Sequence, residues 1–390
     1  MYLTTFYDSV HIFRRNKAIY ARLMNPHLVL STCRVKGGLR NDLCWVLNHQ
    51  ACEPAGHHSK RMLKDVEGYR RQLCEPLSIE PDRCAIMSTA ANMNNAALVK
   101  ERFHGLEVGA VVTAGVETNA GRAGDPASVM EKEDGFINLK DQGNKIKEGT
   151  INIMLFIGHA LTKAAIVRAV ITATEAKSAA LQELSINSRY SNGLATGTGT
   201  DQIIVCAPDS PGFRLSWAGK HSKLGELIGR VVIRGVKKSL EHQNRITPVG
   251  QCSCKIHLER FGTTRQEMIK GITAFLDGER ARLLENNFHC LDRDPLTVAN
   301  VAAAAHLKDK FSWGILPLSC WKEVMGNAAA QIACAVGGRW DKMASYRDIL
   351  GHHGDDHHDQ AFLQLCFRAF ALGFKDKWPD EDLAERKDEK

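Results

Sequence analysis

No stretch of this 390-residue chain approaches the roughly 18 uncharged apolar residues that a membrane-spanning helix requires,. No membrane span is therefore expected. Before Met24 there is no apolar core long enough for a secretory leader, and Arg14, Arg15 and Lys17 interrupt the only candidate,. Aromatic residues are scarce, at 7%, and the net charge is only +7, spread along the whole chain. Base-stacking platforms and basic nucleic-acid footprints need more of both. There is no internal repeat and no low-complexity tract. Metal-binding spacing is also thin. Cys252 and Cys254 have one residue between them, with His257 nearby, whereas zinc sites use wider pairs and a second pair elsewhere. The twelve cysteines are scattered. In a chain without an export leader they are expected to be reduced, buried thiols of a cytoplasmic protein. What remains is an ordinary globular balance, 44% hydrophobic and 24% charged. It excludes disorder, collagen and small disulfide scaffolds and allows two or three domains.

Five short apolar runs read as buried strands of a layered α/β protein: 28–33, 84–90, 107–115, 151–158 and 201–208,. Between the last two lies the clearest helix, capped by Thr162 and running from Lys163 to about Leu184,. Ile166, Val170, Ala173, Leu181 and Leu184 form its apolar face, with Lys177 near the middle,. Such a lysine either snorkels to solvent or reaches into a pocket. A second helix is expected over 223–242. After about residue 250 the pattern is helical throughout. Thr264 and Glu267 have capping-box spacing, and helices follow over 297–309, 320–336 and 359–374, with a charged tail beyond Trp378. The expected domains are 1–250 and 251–390.

Candidate chemistry gathers in four places. The third strand runs into a loop holding Glu117, Asn119, Gly121, Arg122, Gly124 and Asp125. Glycines there let backbone N–H groups approach a ligand, although a tight Asp-Pro turn would read the same way. The second place is Ala195 to Asp201, ATGTGTD. It lacks the Walker lysine and leads into a strand, so it makes a poor phosphate loop. It is either the hydroxyl-rich wall of a polar pocket or a connector. The third is Thr150, after Gly149 at the start of the fourth strand. A threonine freed at its amine can act as a nucleophile with that amine as base, although Gly-Thr strand starts are ordinarily structural. The fourth is the run from Gly351 to Asp359, with His352, His353, His357 and His358. It is either a divalent-metal site or an exposed helix cap.

These stretches, in this order, resemble a known family. Ser31-Thr32 with Gly37-Gly38, MSTAANMNNA (87–96), VTAGVETNAGRAGDPA (112–127), GTINIMLFI (149–157), ITATEAKSAALQEL (171–184), ATGTGTDQIIV (195–205) and AGKHSKLGELIG (218–229) are similar to the CbiZ type of adenosylcobinamide amidohydrolase. The resemblance covers about residues 10–245. Lys36 departs from it, standing where the family pattern has asparagine. The resemblance implies a corrinoid-salvage enzyme that hydrolyses the amide joining aminopropanol to adenosylcobinamide, giving adenosylcobyric acid. The substrate is a cobalt corrinoid, and no further cofactor or metal is implied. A second likeness concerns the fold. GTINIMLFI, a helix, then TGTGTDQIIV is similar to the strand–helix–strand of ornithine acetyltransferases and β-peptidyl aminopeptidases, which have a layered α-β-β-α sandwich and cut themselves before the residue at the position of Thr150.

Amide hydrolysis needs a nucleophile or activated water, an oxyanion stabiliser and an acid for the leaving amine. Under the resemblance, either Thr150 or a water activated by Glu117 attacks. Asn119 and backbone N–H groups of the 115–121 turn stabilise the oxyanion, and Glu117 or Lys177 assists proton transfer. Asn92, Asn94, Arg122, Asp125, Thr198 and Asp201 are the candidates for binding the polar arms of the corrinoid. The expected partner is the corrinoid alone, with neither nucleic acid nor membrane, and a homo-oligomer is compatible with the sequence. Two other classes stand beside this one: a corrinoid-binding module without catalysis, and a metal-dependent hydrolase built on the 352–358 histidines. The helical region after 250 is expected to be a stabilising or oligomerising appendage.

Overall fold

The computed structural model describes residues 1–51, 65–133, 135–139, 149–352 and 356–379, and the chain divides into two compact units, Met1–Thr247 and Pro248–Lys390. The first begins with an antiparallel meander of β1 (Tyr2–Phe6), β2 (Val10–Arg15) and β3 (Ala18–Leu23). The β2–β3 connection is two residues long, and both Asn16 and Lys17 take positive φ, as a type I′ hairpin turn demands. Next come β4 (His27–Ser31), β5 (Gly38–Arg40), β6 (Trp45–Gln50), α1 (Val66–Cys74), β7 (Cys84–Thr89), β8 (Ala97–Phe103) and β9 (Leu106–Ala114). Short β10 (Ala120–Gly121) and the hairpin of β11 (Val129–Lys132) and β12 (Gly135–Asn138) precede β13 (Ile151–Ile157). The unit closes with α2 (Lys163–Glu183), β14 (Gly197–Thr198), β15 (Gln202–Pro208) and α3 (Lys223–Asn244).

Two sheets result. One has the order β1-β2-β3-β6-β7, the other β5-β4-β15-β13-β9-β8. Among the described strands of these two sheets, β6–β7 and β13–β15 pair parallel and the others antiparallel. Strand alternation assigns the faces. Ile12, Val46 and Met87 of the first sheet meet Val111, Met154, Phe156 and Ile204 of the second in one core. The residues between them, Ile153, Leu155 and Val205 together with Val112, point the other way and pack on Ile166 and Ala173 of α2 and Leu227 and Val231 of α3. On the far face of the first sheet, Leu47 and Cys84 pack with Cys74 of α1. The layers therefore run helix, sheet, sheet, helices. Because β13 and β15 are covered on both faces, they read as continuous apolar runs. Thr162 caps α2 by accepting from Ala165 N–H at 3.2 Å.

The second unit is helical: α4 (Cys254–Leu258), α5 (Arg265–Thr273), α6 (Gly278–Arg293), α7 (Pro295–Ser312), α8 (Trp321–Gly337), α9 (Met343–Gly351) and α10 (Asp359–Lys377). The capping box of Thr264 and Glu267 is formed at the start of α5. Phe288, Met325, Phe362 and Phe370 are among the side chains that fill its core. The charged tail from 380 onward lies outside the described residues. The described cysteines are all free thiols, most of them buried. Among the described residues no helix is long and apolar enough to cross a membrane.

Candidate active site

Strand β9 ends, and β13 and β15 begin, at the same edge of the second sheet, because Ile151 pairs with Ala114 and Asn152 pairs with Gln202. The three polar segments of the sequence are thereby brought together. The loop after β9 and the ATGTGTD loop are also zipped to one another, as Ala120 pairs with Thr198 and Gly121 with Gly197.

Thr150 sits at the centre of this edge, only 3% exposed. Its hydroxyl donates to the Thr200 carbonyl at 2.6 Å and lies 3.4 Å from Asn152 Oδ1. The carbonyl of Gly149, immediately before it, accepts two hydrogen bonds, from Asn119 Nδ2 at 3.0 Å and from Thr200 Oγ1 at 2.7 Å. Asn119 is held in turn by the Tyr190 hydroxyl, which donates to its Oδ1 at 2.6 Å. A peptide carbonyl with two side-chain donors on its oxygen and a buried hydroxyl on the next residue has the parts of an oxyanion hole and a nucleophile.

Asp201 organises the opposite side. Its Oδ1 accepts from Ile151 N–H at 2.9 Å and Thr198 Oγ1 at 2.6 Å, and its Oδ2 from Thr198 N–H at 3.0 Å and from Lys177, with which it forms an ion pair. Lys177 therefore does not snorkel; it turns inward from α2 and is nine-tenths buried. The position of Gly197 makes this meeting feasible, since a Cβ there would collide with both Lys177 Nζ and the Asp201 carboxylate.

Beneath Thr150, between the sheets, lies a chain of buried amides. Asn152 Nδ2 donates to Asn48 Oδ1 at 2.9 Å and to the Ser88 carbonyl at 3.0 Å, and Asn48 Nδ2 donates to Thr113 Oγ1 at 2.8 Å. Both asparagines are essentially inaccessible. The sequence signals were present but unread: Asn48 and Asn152 are isolated amides inside apolar strand runs. Tyr190 carried no comparable signal, because it lies in a loop whose path only the fold reveals, whereas Thr200 sits in the hydroxyl-rich ATGTGTD loop without being distinguished there from its neighbours.

The remaining candidates fall into other places. Glu117 is exposed, and its carboxylate accepts from Asn244 Nδ2 at 3.4 Å. The reason is local: Val116 N–H donates to Asn244 Oδ1, tying this turn to the end of α3. Asn92 joins the same end, its N–H donating to Gln243 Oε1 at 3.0 Å, while its side chain accepts from Asn94 N–H and Asn94 itself is exposed. Among the described residues, the hydrogen bonds of Glu117, Asn92 and Asn94 run to the end of α3 and to one another rather than to the Thr150 group. Arg122 and Asp125 brace the loop. Arg122 N–H and Ser188 Oγ donate to Asp125 Oδ2 at 2.7 and 2.6 Å. Burial raises the Asp125 pKa, but hydrogen bonds from Ser188, Ser191 and Arg122 outweigh it and hold the carboxyl below its ordinary range. Lys36, the departure from the family pattern, takes a positive φ of 53°, a conformation asparagine tolerates better than lysine.

In the helical unit, His353 lies outside the described residues. His358 caps α10, its Nδ1 accepting from Ala361 N–H at 3.1 Å, and His352 and His357 are exposed. Among the described residues no group of three or more His, Cys, Asp or Glu is arranged to hold a metal ion.

Comparison with known proteins places the sequence of the first unit in a family. A protein of Methanocaldococcus jannaschii, itself uncharacterised, is 38% identical over 236 residues, covering 59% of this chain and 88% of that protein. An adenosylcobinamide amidohydrolase of Methanosarcina mazei is 37% identical over 105 residues, covering 25% of this chain and 49% of that protein, so the match spans about half the length of this second relative. The pattern of the adenosylcobinamide amidohydrolase family, CbiZ, matches residues 3–248, the whole of the two-sheet unit, and to that family the chain belongs.

Proposed function

We propose that the chain hydrolyses the amide joining aminopropanol to adenosylcobinamide, releasing adenosylcobyric acid and the amine in corrinoid salvage, with Thr150 as nucleophile. Family membership and the name of the Methanosarcina mazei relative support the substrate class. The observation that carries the residue assignment is the doubly hydrogen-bonded Gly149 carbonyl beside the Thr150 hydroxyl.

Both partners of that hydroxyl, the Thr200 carbonyl and the Asn152 amide, are neutral and take no proton. In the intact chain Thr150 therefore lacks a base. Scission of the Gly149–Thr150 peptide supplies one. Thr150 Oγ attacks the Gly149 carbonyl carbon while Asn119 and Thr200 steady the developing oxyanion. The C–N bond breaks with the hydroxyl proton passing to nitrogen, and water hydrolyses the resulting ester to leave a Gly149 carboxylate and a free Thr150 amine. The released amine then serves as base for its own hydroxyl. Asn119 Nδ2 and Thr200 Oγ1 become donors for the carbonyl of the corrinoid amide. The second cycle repeats the first: an ester to Thr150 forms, aminopropanol leaves with a proton, and water regenerates the enzyme. Lys177 and Asp201 position β13 and Thr198 rather than react. The order of layers, with Thr150 opening β13 ahead of α2 and β15, supports an ornithine-acetyltransferase type of sandwich.

The test is incubation of purified protein with adenosylcobinamide and mass analysis of the corrinoid. Loss of the aminopropanol arm is expected. Tight binding with the corrinoid unchanged would replace hydrolysis with a binding module.

A further inference from the structure

Tyr190 is the outer end of a chain of hydrogen bonds that finishes on the Gly149 carbonyl. It lies between α2 and β14 and is 36% exposed, yet its hydroxyl is not turned to water. The phenol donates to Asn119 Oδ1 at 2.6 Å, and Asn119, only 5% exposed, gives its Nδ2 to the Gly149 carbonyl at 3.0 Å. Chemistry fixes the direction of both bonds. A carbonyl oxygen only accepts, so the amide atom facing Gly149 is the nitrogen. The amide oxygen then faces Tyr190, and the phenol has to be the donor.

The loop after β9 holds Tyr190 at three points. Arg189 N–H donates to the Ala120 carbonyl at 2.9 Å, one residue from Asn119. Tyr190 N–H donates to Ser188 Oγ at 3.0 Å, and that hydroxyl donates in turn to Asp125 Oδ2 at 2.6 Å. The ring lies along Gly121, where a Cβ would come within 3.3 Å of it. Among the described residues, the apolar clusters of the first unit are built without Tyr190. Its placement therefore serves the hydroxyl more than the core.

Without the phenol, the oxygen of a nearly inaccessible amide would have no partner, a state that folded proteins avoid. The Asn119 amide would turn from Gly149 to find one. Donation to the amide oxygen also polarises the group and strengthens Nδ2 as a donor. We propose that Tyr190 is a positioning residue for amide hydrolysis: its hydroxyl holds and polarises the Asn119 amide for the oxyanion of Gly149 and then of the corrinoid amide. It acts through Asn119 and does not touch the reacting atoms. The proposal rests on the amide-hydrolysis reading above. The bond from Asn119 strengthens as charge develops on the carbonyl oxygen, so the phenol serves the transition state rather than substrate binding.

The experiment compares full-length wild type, Tyr190→Phe, Asn119→Ala and the double variant. Phenylalanine keeps the ring along Gly121 and removes only the hydroxyl. Intact mass over time gives the rate of scission before Thr150, and adenosylcobinamide turnover gives kcat and KM. Tyr190→Phe is expected to lower the scission rate and kcat together by about tenfold, the scale of one neutral hydrogen bond. KM should stay within about twofold, as for an interaction made in the transition state. In the Asn119→Ala background the same change is expected to cost nothing further, because residues acting as one unit are not additive. Wild-type rates for Tyr190→Phe beside a slowed Asn119→Ala overturn the positioning role alone, even where the urea midpoint falls. An equal loss in the Asn119→Ala background, or a loss carried by KM, overturns it as well. Wild-type rates for Asn119→Ala remove the oxyanion assignment on which the role depends. Wild type that forms no adenosylcobyric acid overturns the hydrolysis reading and this inference with it.

Discussion

Asn119 gives its side-chain amide to the carbonyl of Gly149, the residue immediately before the candidate nucleophile, at 3.0 Å. This hydrogen bond and the 2.7 Å contact from Thr200 draw electron density from one particular peptide carbonyl. Intact mass of the purified wild type is therefore expected to show two fragments that split between Gly149 and Thr150. Thr150→Ala is expected to remain a single 43.1 kDa species, and Asn119→Ala to be cut more slowly, by about 10²-fold on the scale of losing one oxyanion donor. A fully active wild type with one unbroken chain would exclude the self-processing route.

The same geometry separates the two candidate attacking groups. Glu117 is exposed and tied to Asn244, so Glu117→Gln is expected to change kcat by less than about threefold. Thr150→Ala is expected to lose at least about 10³-fold, within the range seen when a nucleophile is deleted. Thr150→Ser should retain measurable turnover. If Glu117→Gln abolishes kcat and keeps corrinoid binding while Thr150→Ala stays active, water activated by Glu117 is the attacking group.

Asp125 sets an acid limit on this loop. Although burial opposes it, hydrogen bonds from Ser188 and Ser191 and the nearby Arg122 lower its pKa on folding. A carboxyl with a depressed folded pKa contributes stability above the unfolded value and loses it as the pH falls through the folded value. Asp125→Asn is therefore expected to lower the urea midpoint at pH 7. The gap from wild type should close as the pH drops below about 4, where an unfolded aspartate takes up its proton. A gap that stays constant from pH 7 to 3 would show that the carboxylate charge has no part in it.

Much of the two-sheet unit was legible in sequence because β9, β13 and β15 are buried on both faces and the edge strand β7 keeps a short apolar run. The runs at 84–90, 107–115, 151–158 and 201–208 became β7, β9, β13 and β15 within one or two residues, and α2 follows its Thr162 cap. The meander β1–β3 was not legible. Its strands are partly buried, so no alternation is clean, and its hairpin turn is Asn16-Lys17 rather than Asn-Gly. The site was half legible. Local composition marked the loops of Asn119, Thr198 and Asp201, but only strand pairing brings them together, and the pairing of β13 with both β9 and β15 spans long sequence separations. Glu117 shows the limit most plainly. It shares a glycine-rich loop with Asn119, yet two positions along one turn are enough to send the two side chains to different neighbours.

Lys177 and Asp201 offer the sharpest stability test. The side chains are 11% and 15% exposed, so each charge depends on the other for most of its compensation. Removing one partner leaves the other uncompensated, which costs about 3 kcal/mol for a buried pair. Lys177→Met and Asp201→Asn are each expected to fall by that order in urea unfolding. Asp201→Asn should fall further, because the same carboxylate also accepts from Ile151 and Thr198. The double variant should be less destabilised than the sum of the singles, with a coupling of at least about 1 kcal/mol, as contacting charges show in mutant cycles. Since Ile151 follows Thr150 directly, Asp201→Asn is also expected to reduce kcat while Lys177→Met, with the carboxylate still accepting from Ile151 and Thr198, reduces it less. Additive singles in the cycle would mean that the pair is a surface-like contact, and the inward turn of Lys177 would then need another cause.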